Sequence, residues 1–498
     1  MAQPVAISLT LTPAPANATI TVQGFEGIEA ISRPFVFRVF ILSSRTLAAA
    51  NTIGCSATLS VETGAGPLKA SGLIFRIEAF DAFAADTGLG YAYCLEIQPR
   101  LCLLDLHRQN RILGTSNPIT MGTLISDVLA GTQDTERGDA VVLDTEPSLS
   151  ASYETRDFVV QYDESDLAFL SRQCERAGIF YFFKQGDSAE TLVYGDSNLA
   201  FPDISTDADA TKVPFGKRST TSILAFGFDA RMVSKTVALR DYDPSQPQTT
   251  PSASADVLRG SHGISNGFGS VLRGPVSKER AATLRAQEIT NRRLTMNGRS
   301  NNPALRAGHV FELTDHPDTG LNGRYLLTEV RHAMATTATI GFAAATGAYP
   351  YSNSFTCVRF LDERPYRPPL VTPVPKVAGL HTARVDGPTW CGRAEIDADG
   401  RYKVTFAHPC GTQTRNQGSC YVRKASLYAG ANDTGMEFPL LPGTEVVIAY
   451  LNGDIDFPVI LGAVPNGDTR AVVKETNQHF NRLRTQAGLV IEMFDGPA

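Results

Sequence analysis

Apolar and polar positions alternate in short runs through the first hundred residues. Six runs between residues 5 and 100 are rich in β-branched and aromatic side chains, with glycine, proline, asparagine or aspartate between them. Regular short strands separated by turn residues are typical of a barrel or a sandwich. The pattern therefore predicts that the chain begins with a β-rich domain.

A strand, a helix and a second strand are predicted between residues 156 and 183. Residues 158–162 form a β-branched and aromatic run, which favours a strand. Asp163 is then the predicted N-cap, and Gly178 the predicted left-handed residue at the helix end. One apolar face recurs at helical spacing, formed by Leu167, Leu170, Cys174 and Ala177. Residues 179–183 are apolar on both faces, so this strand should be buried on both sides.

The same residue patterns predict further helices, strands and loops. A helix is predicted over residues 121–129, and residues 191–194 should form a hairpin with 179–183. Strands are predicted at 222–228 and 236–239, whereas 244–255 and 260–270 are rich in serine, proline and glycine and are predicted to be loops.

A third amphipathic helix is predicted from residue 277 to about 294. Ser277 is a good N-cap, and Ala282, Ala286 and Ile289 follow a 4-then-3 spacing. Residues 306–334 should then form two strands around a turn rich in aspartate and glycine.

The composition changes at residues 361–380, which separate two domains. Five prolines lie between residues 362 and 380, and proline cannot donate to a helix or to a central strand. We predict a hub domain over 1–360, an extended linker over 361–380 and a five-stranded OB-type barrel over 381–465. Residues 466–498 include a lone strand with apolar residues on both faces, which cannot bury itself within one chain.

Composition places the protein among folded, soluble chains. Hydrophobic residues make up 43% and charged residues 19% of its 498 residues. The net charge of −6 gives no general basis for binding nucleic acid. The sequence contains no apolar run of about 18 residues, so we predict no transmembrane helix. The first residues do not resemble a signal peptide. We expect assembly in the cytoplasm and, if the protein is secreted, a route that needs no signal peptide.

Several segments resemble one family. FVVQYDESDLAFLSR at 158–172, GIFYFF at 178–183 and GDSNLAFP at 195–202 are similar to the VgrG spike proteins of type VI secretion systems. The family also has an F-x-L-x-x-H-P…L-N-G-x-Y-L pattern, found here at 311–326. The barrel resembles the VgrG barrel almost position for position, in D-x-D-G-R-Y-K-V-x-F and in P-G-T-E-V-V-I-x-Y-L-N-G-D-x-D-x-P-V-I-L-G.

The resemblance implies a mainly β architecture with a few helices. The hub would hold two related β-barrel-like halves, followed by the OB-fold barrel and a short C-terminal strand that begins an intertwined, trimeric β-needle. Leu489, Ile491, Met493 and Phe494 would form the trimer interface. Most relatives have a longer needle, so the sequence leaves open a short needle, one supplied by another protein, or a truncated chain.

The same resemblance implies a structural, non-enzymatic protein of a contractile injection machine. Three copies would dock on a hexameric Hcp-like tube protein and contact baseplate proteins, while a PAAR-type protein caps the point. The spike would carry effectors, touch a target membrane transiently and be injected. The sequence leaves open a hub-spike of an extracellular contractile system or of a phage tail, and an evolved spike with hydrolase activity.

Candidate catalytic sets are weak, and we predict neither a catalytic residue nor a cofactor. Residues 263–267 match G-x-S-x-G, but the flanking residues do not predict the strand and helix that a nucleophile elbow requires. A possible acid/base set is better explained by a turn and a strand end, and it comprises Asp315, His316, Glu329 and His332. The acid pairs Asp163/Asp166 and Asp454/Asp456 suit capping and turns.

No metal site is predicted either. The only zinc-type side chains that cluster in the sequence are Cys391, His408, Cys410 and Cys420. Their spacing matches no common zinc pattern, so ordinary barrel residues are the preferred interpretation, with a metal or redox link as the alternative. The barrel also offers a modest set of cations and aromatics, but we predict no nucleic-acid binding. That set is Arg401, Lys403, Arg423, Lys424, Tyr402, Phe406 and Tyr421.

Overall fold

A computed structural model gives the fold. It describes residues 6–496, except 16–17, 64–65, 81–82, 86–87, 132–142, 217–220, 270–272, 336–350, 388–395 and 410–416.

Strands dominate the described residues, as predicted. In chain order the strands are β1 Ala6–Thr12, β2 Ile20–Ala30, β3 Arg33–Ser43, β4 Ser56–Thr63, β5 Gly66–Ala79, β6 Phe83–Ala85, β7 Gly88–Gln98, β8 Arg108–Leu113, β9 Asp144–Ser148, β10 Val159–Ser165, β11 Phe180–Gln185, β12 Glu190–Gly195, β13 Lys212–Pro214, β14 Ile223–Ala230, β15 Thr236–Arg240, β16 Ser252–Asp256, β17 Ile264–Phe268, β18 Leu294–Ser300, β19 Val310–Thr314, β20 Gly323–Ala335, β21 Tyr351–Arg359, β22 His381–Val385, β23 Val404–Phe406, β24 Arg423–Lys424, β25 Tyr428–Ala429, β26 Gly435–Met436, β27 Glu445–Tyr450, β28 Pro458–Ala463, β29 Phe480–Arg484 and β30 Val490–Phe494. The α-helices are α1 Ala49–Thr52, α2 Met121–Ala130, α3 Asp166–Ala177 and α4 Lys278–Arg293.

The chain forms two compact units, and each unit consists of three separate stretches of the sequence. Unit 1 contains residues 1–107, 120–154 and 165–373, and unit 2 contains residues 108–119, 155–164 and 374–498. The division we expected from the sequence was contiguous, with the hub ending at residue 360. Two short segments from within that range instead belong to the unit that holds the barrel.

Unit 1 is built on a thirteen-stranded sheet. Its main order is β1-β4-β5-β7-β3-β2-β20-β21-β18-β14, with β6, β13 and β19 paired at its side. The two halves that were predicted for the hub share this one sheet, because β2 pairs antiparallel with β20, with Phe25 opposite Met334. Inward side chains alternate with outward ones along these strands, which buries the aromatic and β-branched residues.

Two smaller sheets complete unit 1. The predicted hairpin is present as β11 and β12, and β9 pairs parallel with β12. Phe180 to Phe183 are all buried, which confirms a strand covered on both faces. The third sheet, in the order β16-β15-β17, packs on α4 through Val237, Ala286 and Ile289. Residues 252–256 and 264–268 are therefore strands, so the predicted loops were wrong there.

The helix that follows β10 starts later than predicted. Asp163 lies within β10 at a φ of 45°, where its backbone N–H donates to the Asn110 side chain over 2.8 Å. Ser165 is the N-cap instead, and its hydroxyl accepts from the backbone N–H of Ala168. Gly178 ends α3 at a φ of 72°, which confirms the predicted left-handed residue. The N-cap at Ser277 and the helix over 121–129 are also confirmed.

The proline-rich segment has neither helix nor strand, yet it is tied to unit 1. We call residues 361–373 the strap. The Glu175 carboxylate accepts the backbone N–H groups of Val371 and Thr372, each over 3.0 Å, and the Thr372 hydroxyl over 2.6 Å. Arg367 is buried and donates to the Gln287 side chain over 2.8 Å and to the carbonyl of Asp196. Hydrogen bonds and the buried Arg367 thus hold the strap in place on unit 1.

Unit 2 contains the five-stranded barrel sheet, in the order β23-β22-β27-β28-β24. Its core includes Val404, Val446, Ile448 and Ile460, all fully buried. The core also takes in Phe158, which directly precedes β10, and Val160, the second residue of that strand. β10 pairs with β8 in a two-stranded sheet. The first strand of the 156–183 signature is therefore part of this core, whereas α3 and β11 belong to unit 1.

Candidate functional site

The C-terminal hairpin, formed by β29 and β30, is the best candidate for a functional surface. Sequence analysis predicted a lone strand here, but residues 480–484 pair antiparallel with 490–494, so that expectation was wrong. Leu483 lies opposite Ile491, and Phe480 lies opposite Phe494 with ring centroids 5.3 Å apart. Among the described strands, these two pair only with each other.

The hairpin exposes apolar side chains that a soluble chain normally covers. Strand alternation puts Leu483, Ile491 and Met493 on one face, while the other face carries Phe480, Val490 and Phe494 beside the Arg482–Glu492 ion pair at 2.6 Å. The predicted interface residues are exposed in the single chain, at 58% for Leu489, 55% for Ile491, 62% for Met493 and 67% for Phe494. A two-stranded hairpin is marginal by itself, so these exposed apolar side chains need a partner surface to be stable.

The candidate acid/base residues do not form one site. His316 lies in the turn after β19, where its ring packs against Phe215 at 4.4 Å between centroids. Glu329 pairs with Arg33 and Arg331 at the surface. His332 is buried and has different partners, described below.

Sequence analysis missed a buried polar network around His332. The Arg306 guanidinium forms a two-pronged ion pair with the Glu29 carboxylate, one contact measuring 2.7 Å, and it also donates to the Lys69 carbonyl. His332 lies 3.4 Å from Glu29 through Nε2 and 2.7 Å from the Tyr351 hydroxyl through Nδ1. Burial raises the pKa of Glu29, but Arg306 and His332 outweigh it and hold that pKa well below its usual value. Burial lowers the pKa of His332.

One sequence signal could have revealed this network. Glu29 occupies an inward position of β2, two residues beyond Gly27 and four beyond Phe25. A carboxylate on the inward face of a strand must be paired or neutral. The network ties β2 to residues near β19 and β20, and its contacts serve the stability of the hub.

The remaining candidates are also explained by structure. Ser265 lies inside β17, so the G-x-S-x-G match does not form a strand-turn-helix elbow. Cys420 is buried in the apolar barrel core, whereas Cys391 and Cys410 lie outside the described residues. Where side chains are described, no three histidine, cysteine, aspartate or glutamate residues come together as metal ligands.

Most of the barrel residues that were considered for nucleic-acid binding are core residues or members of ion pairs. Tyr402 and Phe406 are core residues and cannot stack on a base. Arg401 pairs with Asp397 at 2.7 Å, and Lys424 pairs with Glu437 at 2.5 Å. Most of this set is thus engaged within the chain.

No helix in the described part of the chain is long and apolar enough to cross a membrane.

Comparison with known proteins gives two family matches. Residues 28–338 match the phage tail baseplate hub (GPD) family, and residues 394–464 match the injector OB domain of type VI secretion systems and phage baseplates. The first match covers more than half of the chain, and the second falls inside the predicted barrel.

The curated relatives include spike proteins of type VI secretion systems. A type VI secretion system spike protein of Pseudomonas aeruginosa, VgrG5, is 29% identical over 504 residues, which cover 93% of this chain and 60% of the relative. The actin cross-linking toxin VgrG1 of Vibrio cholerae is 26% identical over 508 residues, covering 95% and 44%. The chain therefore spans about half to three fifths of the length of these relatives.

Solved structures share the fold. The E. coli c3393 protein, described as a type VI secretion component similar to the phage T4 tail proteins gp27 and gp5, matches with a TM-score of 0.64 at 21% identity. That match covers 92% of this chain and all of the other. The lidded Francisella PdpA–VgrG complex matches with a TM-score of 0.59 at 9% identity, covering 95% of this chain and 72% of the other. The family match over residues 28–338 shows that the chain belongs to the phage tail baseplate hub family.

Proposed function

We propose that this chain is a structural hub and spike of a contractile injection machine and that it works as a homotrimer. The observation that carries the proposal is the C-terminal hairpin, whose apolar face has no cover within the described chain. Three hairpins related by a closed threefold axis would cover one another's faces and remove free strand edges. The family membership supports the same assembly.

The proposed partners follow from the family. Three hubs would present six β-rich halves to a hexameric Hcp-like tube protein, and baseplate proteins would surround the assembly. A PAAR-type protein would cap the point, and effectors would be carried; the solved PdpA–VgrG complex is one example in a relative. Assembly in the cytoplasm would precede injection, with brief contact with a target membrane.

A mechanical role is favoured over an enzymatic one. The described acid/base candidates have separate partners, and each is used in a turn, a surface ion pair or a buried network. An extracellular contractile system or a phage tail would use the same surfaces. Hydrolase activity is the alternative that the sequence left open, and assays with peptidoglycan and model esters would detect it.

Solution mass tests the proposal. Light scattering after gel filtration should give three times 53.6 kDa, about 161 kDa. Ile491→Asp places a charge on the apolar face and should dissociate the trimer, as should deletion of residues 480–498. Ala487→Asp adds the same charge in the exposed turn of the hairpin and should leave the trimer intact. A monomeric wild-type chain would refute the trimer, and a trimer that survives Ile491→Asp would refute the role of the hairpin.

A further inference from the structure

Two histidines lie side by side in unit 2 with aromatic residues around them. The rings of His381 and His408 have centroids 4.8 Å apart. His381 begins β22, and His408 follows the end of β23. Tyr162 of β10 and Tyr450 of β27 complete the cluster, at 5.6 Å from His408 and 5.2 Å from His381.

The two histidines differ in their hydrogen bonds. His381 bonds the Tyr450 hydroxyl through Nδ1 at 2.8 Å and the Tyr162 hydroxyl through Nε2 at 3.1 Å. This imidazole therefore links β10, β22 and β27. Both ring nitrogens of His408 are buried and have no hydrogen-bond partner among the residues that the structure describes. A neutral imidazole tolerates that position far better than a charged one, because an unpaired buried charge is much more costly.

No opposite charge is available to the pair among the described residues. The elements packed against it contribute Tyr162 from β10, Tyr450 from β27 and the Phe406 ring from β23, none of which is an anion at neutral pH. The charge that acts on His408 is that of His381 itself, which would repel it. Protonation of either imidazole would thus place a cation in a partly apolar cluster beside a second basic ring.

We propose that the His381–His408 pair is an acid-sensitive latch, which holds β10 to the barrel strands while both imidazoles are neutral and loosens them when the pair is protonated. The device depends on contacts within unit 2 and holds for a monomer or a trimer. It is independent of the proposed function, which concerns the C-terminal hairpin.

The electrostatics set the pH window. Burial and the neighbouring His381 lower the pKa of His408 from 6.5 to about 4, and burial lowers the pKa of His381. A histidine whose pKa is lower in the folded state takes up a proton on unfolding in acid. Its stabilising contribution is therefore complete above pH 6.5 and is lost progressively as the pH falls from 6.5 towards 4. At pH 5, His408 alone should raise the opening constant of the barrel about thirtyfold relative to pH 7.5.

Amide hydrogen exchange on the full-length chain, with a chelator present, tests the latch. The opening of β22 and β27, corrected for intrinsic exchange, should rise about thirtyfold or more between pH 7.5 and pH 5. His408→Phe keeps an aromatic ring that cannot be protonated, so most of this rise should disappear. The control is His262→Asn, which removes an exposed histidine of unit 1 and should behave as the wild type.

Two results would overturn the latch. One is an equally steep rise in His408→Phe, because the proton would then act elsewhere. The other is an ordinary pKa near 6.5 for His408, measured in the wild type by exchange of its imidazole C2 hydrogen, which decides the matter even if the variant fails to fold.

Discussion

Phe158 and Phe169 are eleven residues apart in one sequence signature, yet they should stabilise different parts of the protein. Phe158 is 2% exposed and belongs to the barrel core of unit 2, where its ring lies 6.4 Å from that of Phe406. Phe169 is fully buried on α3 in unit 1. Replacing each by alanine is therefore a matched pair of perturbations.

The expected cost follows from burial. Removing a buried phenylalanine side chain typically costs about 3–5 kcal/mol, because transfer energy is lost and a cavity remains. A domain is stable by only about 5–15 kcal/mol, so either change should bring its own unit close to unfolding. A loss of about 3 kcal/mol corresponds to roughly a hundredfold rise in the opening constant.

Amide exchange resolved by strand is the appropriate assay, since a chain with two units has no single unfolding free energy. Phe158→Ala should accelerate exchange in β22 and β27 and leave β11 and β20 unchanged. Phe169→Ala should do the reverse. If Phe158→Ala accelerates β11 and β20 while the barrel strands stay protected, the assignment of residues 155–164 to the barrel is wrong. Phe158→Leu, which keeps most of the volume, gives a smaller effect with the same pattern.

Three further substitutions probe individual contacts. Glu29→Gln leaves Arg306 buried without its anion, so the opening free energy of the unit 1 strands, measured by amide exchange, should fall by about 3–5 kcal/mol, and a loss below about 1 kcal/mol would contradict a tightly coupled pair. Gly308→Ala should lower the melting temperature, because φ is +80° and a Cβ would lie 2.3 Å from the Phe182 ring; an unchanged melting temperature would contradict that close approach. Glu175→Gln weakens the bonds that hold the strap, so limited proteolysis there should become faster, and an unchanged cleavage rate would show that other contacts suffice.

The sequence predicted elements well wherever burial repeats with a regular period. The strands of the first hundred residues, α2, α4 and the β11–β12 hairpin were all found, because alternation and helical spacing report which faces are covered. Periodicity does not report what covers them. The runs at 158–162 and 179–183 look alike in the sequence, but the first packs in unit 2 and the second in unit 1.

Each wrong prediction of an element has an identifiable physical cause. β16 and β17 are formed from residues rich in serine and glycine, and they exist because β15 pairs with both of them and packs on α4. The helix after β10 begins late because Asn110 and Arg108 bind Asp163, which stays within β10 at a φ of 45°, and Ser165 caps the helix instead. Contacts with chain-distant residues decided each case, and a single sequence does not record them.

The residues predicted to form the interface are exposed, but the sequence did not predict the hairpin that carries them. The exposure of Leu489, Ile491, Met493 and Phe494 agrees with an interface, although their role in a trimer stays a prediction. The partner strand at 480–484 was missed because FNRLR alternates too briefly to stand out. Pairing with residues 490–494 and the Arg482–Glu492 ion pair define it.

The buried charges of unit 1 support a mechanical interpretation of the fold. Glu29 and Arg306 join residues 277 positions apart, and Glu175 holds the strap across 196 positions. Separating either set would leave a buried charge unpaired, which costs far more than the pairing gains. Such contacts therefore oppose the start of unfolding more than they add to equilibrium stability. If the chain is a spike driven by contraction, as proposed, resistance to rapid unfolding under load matters more than the equilibrium free energy.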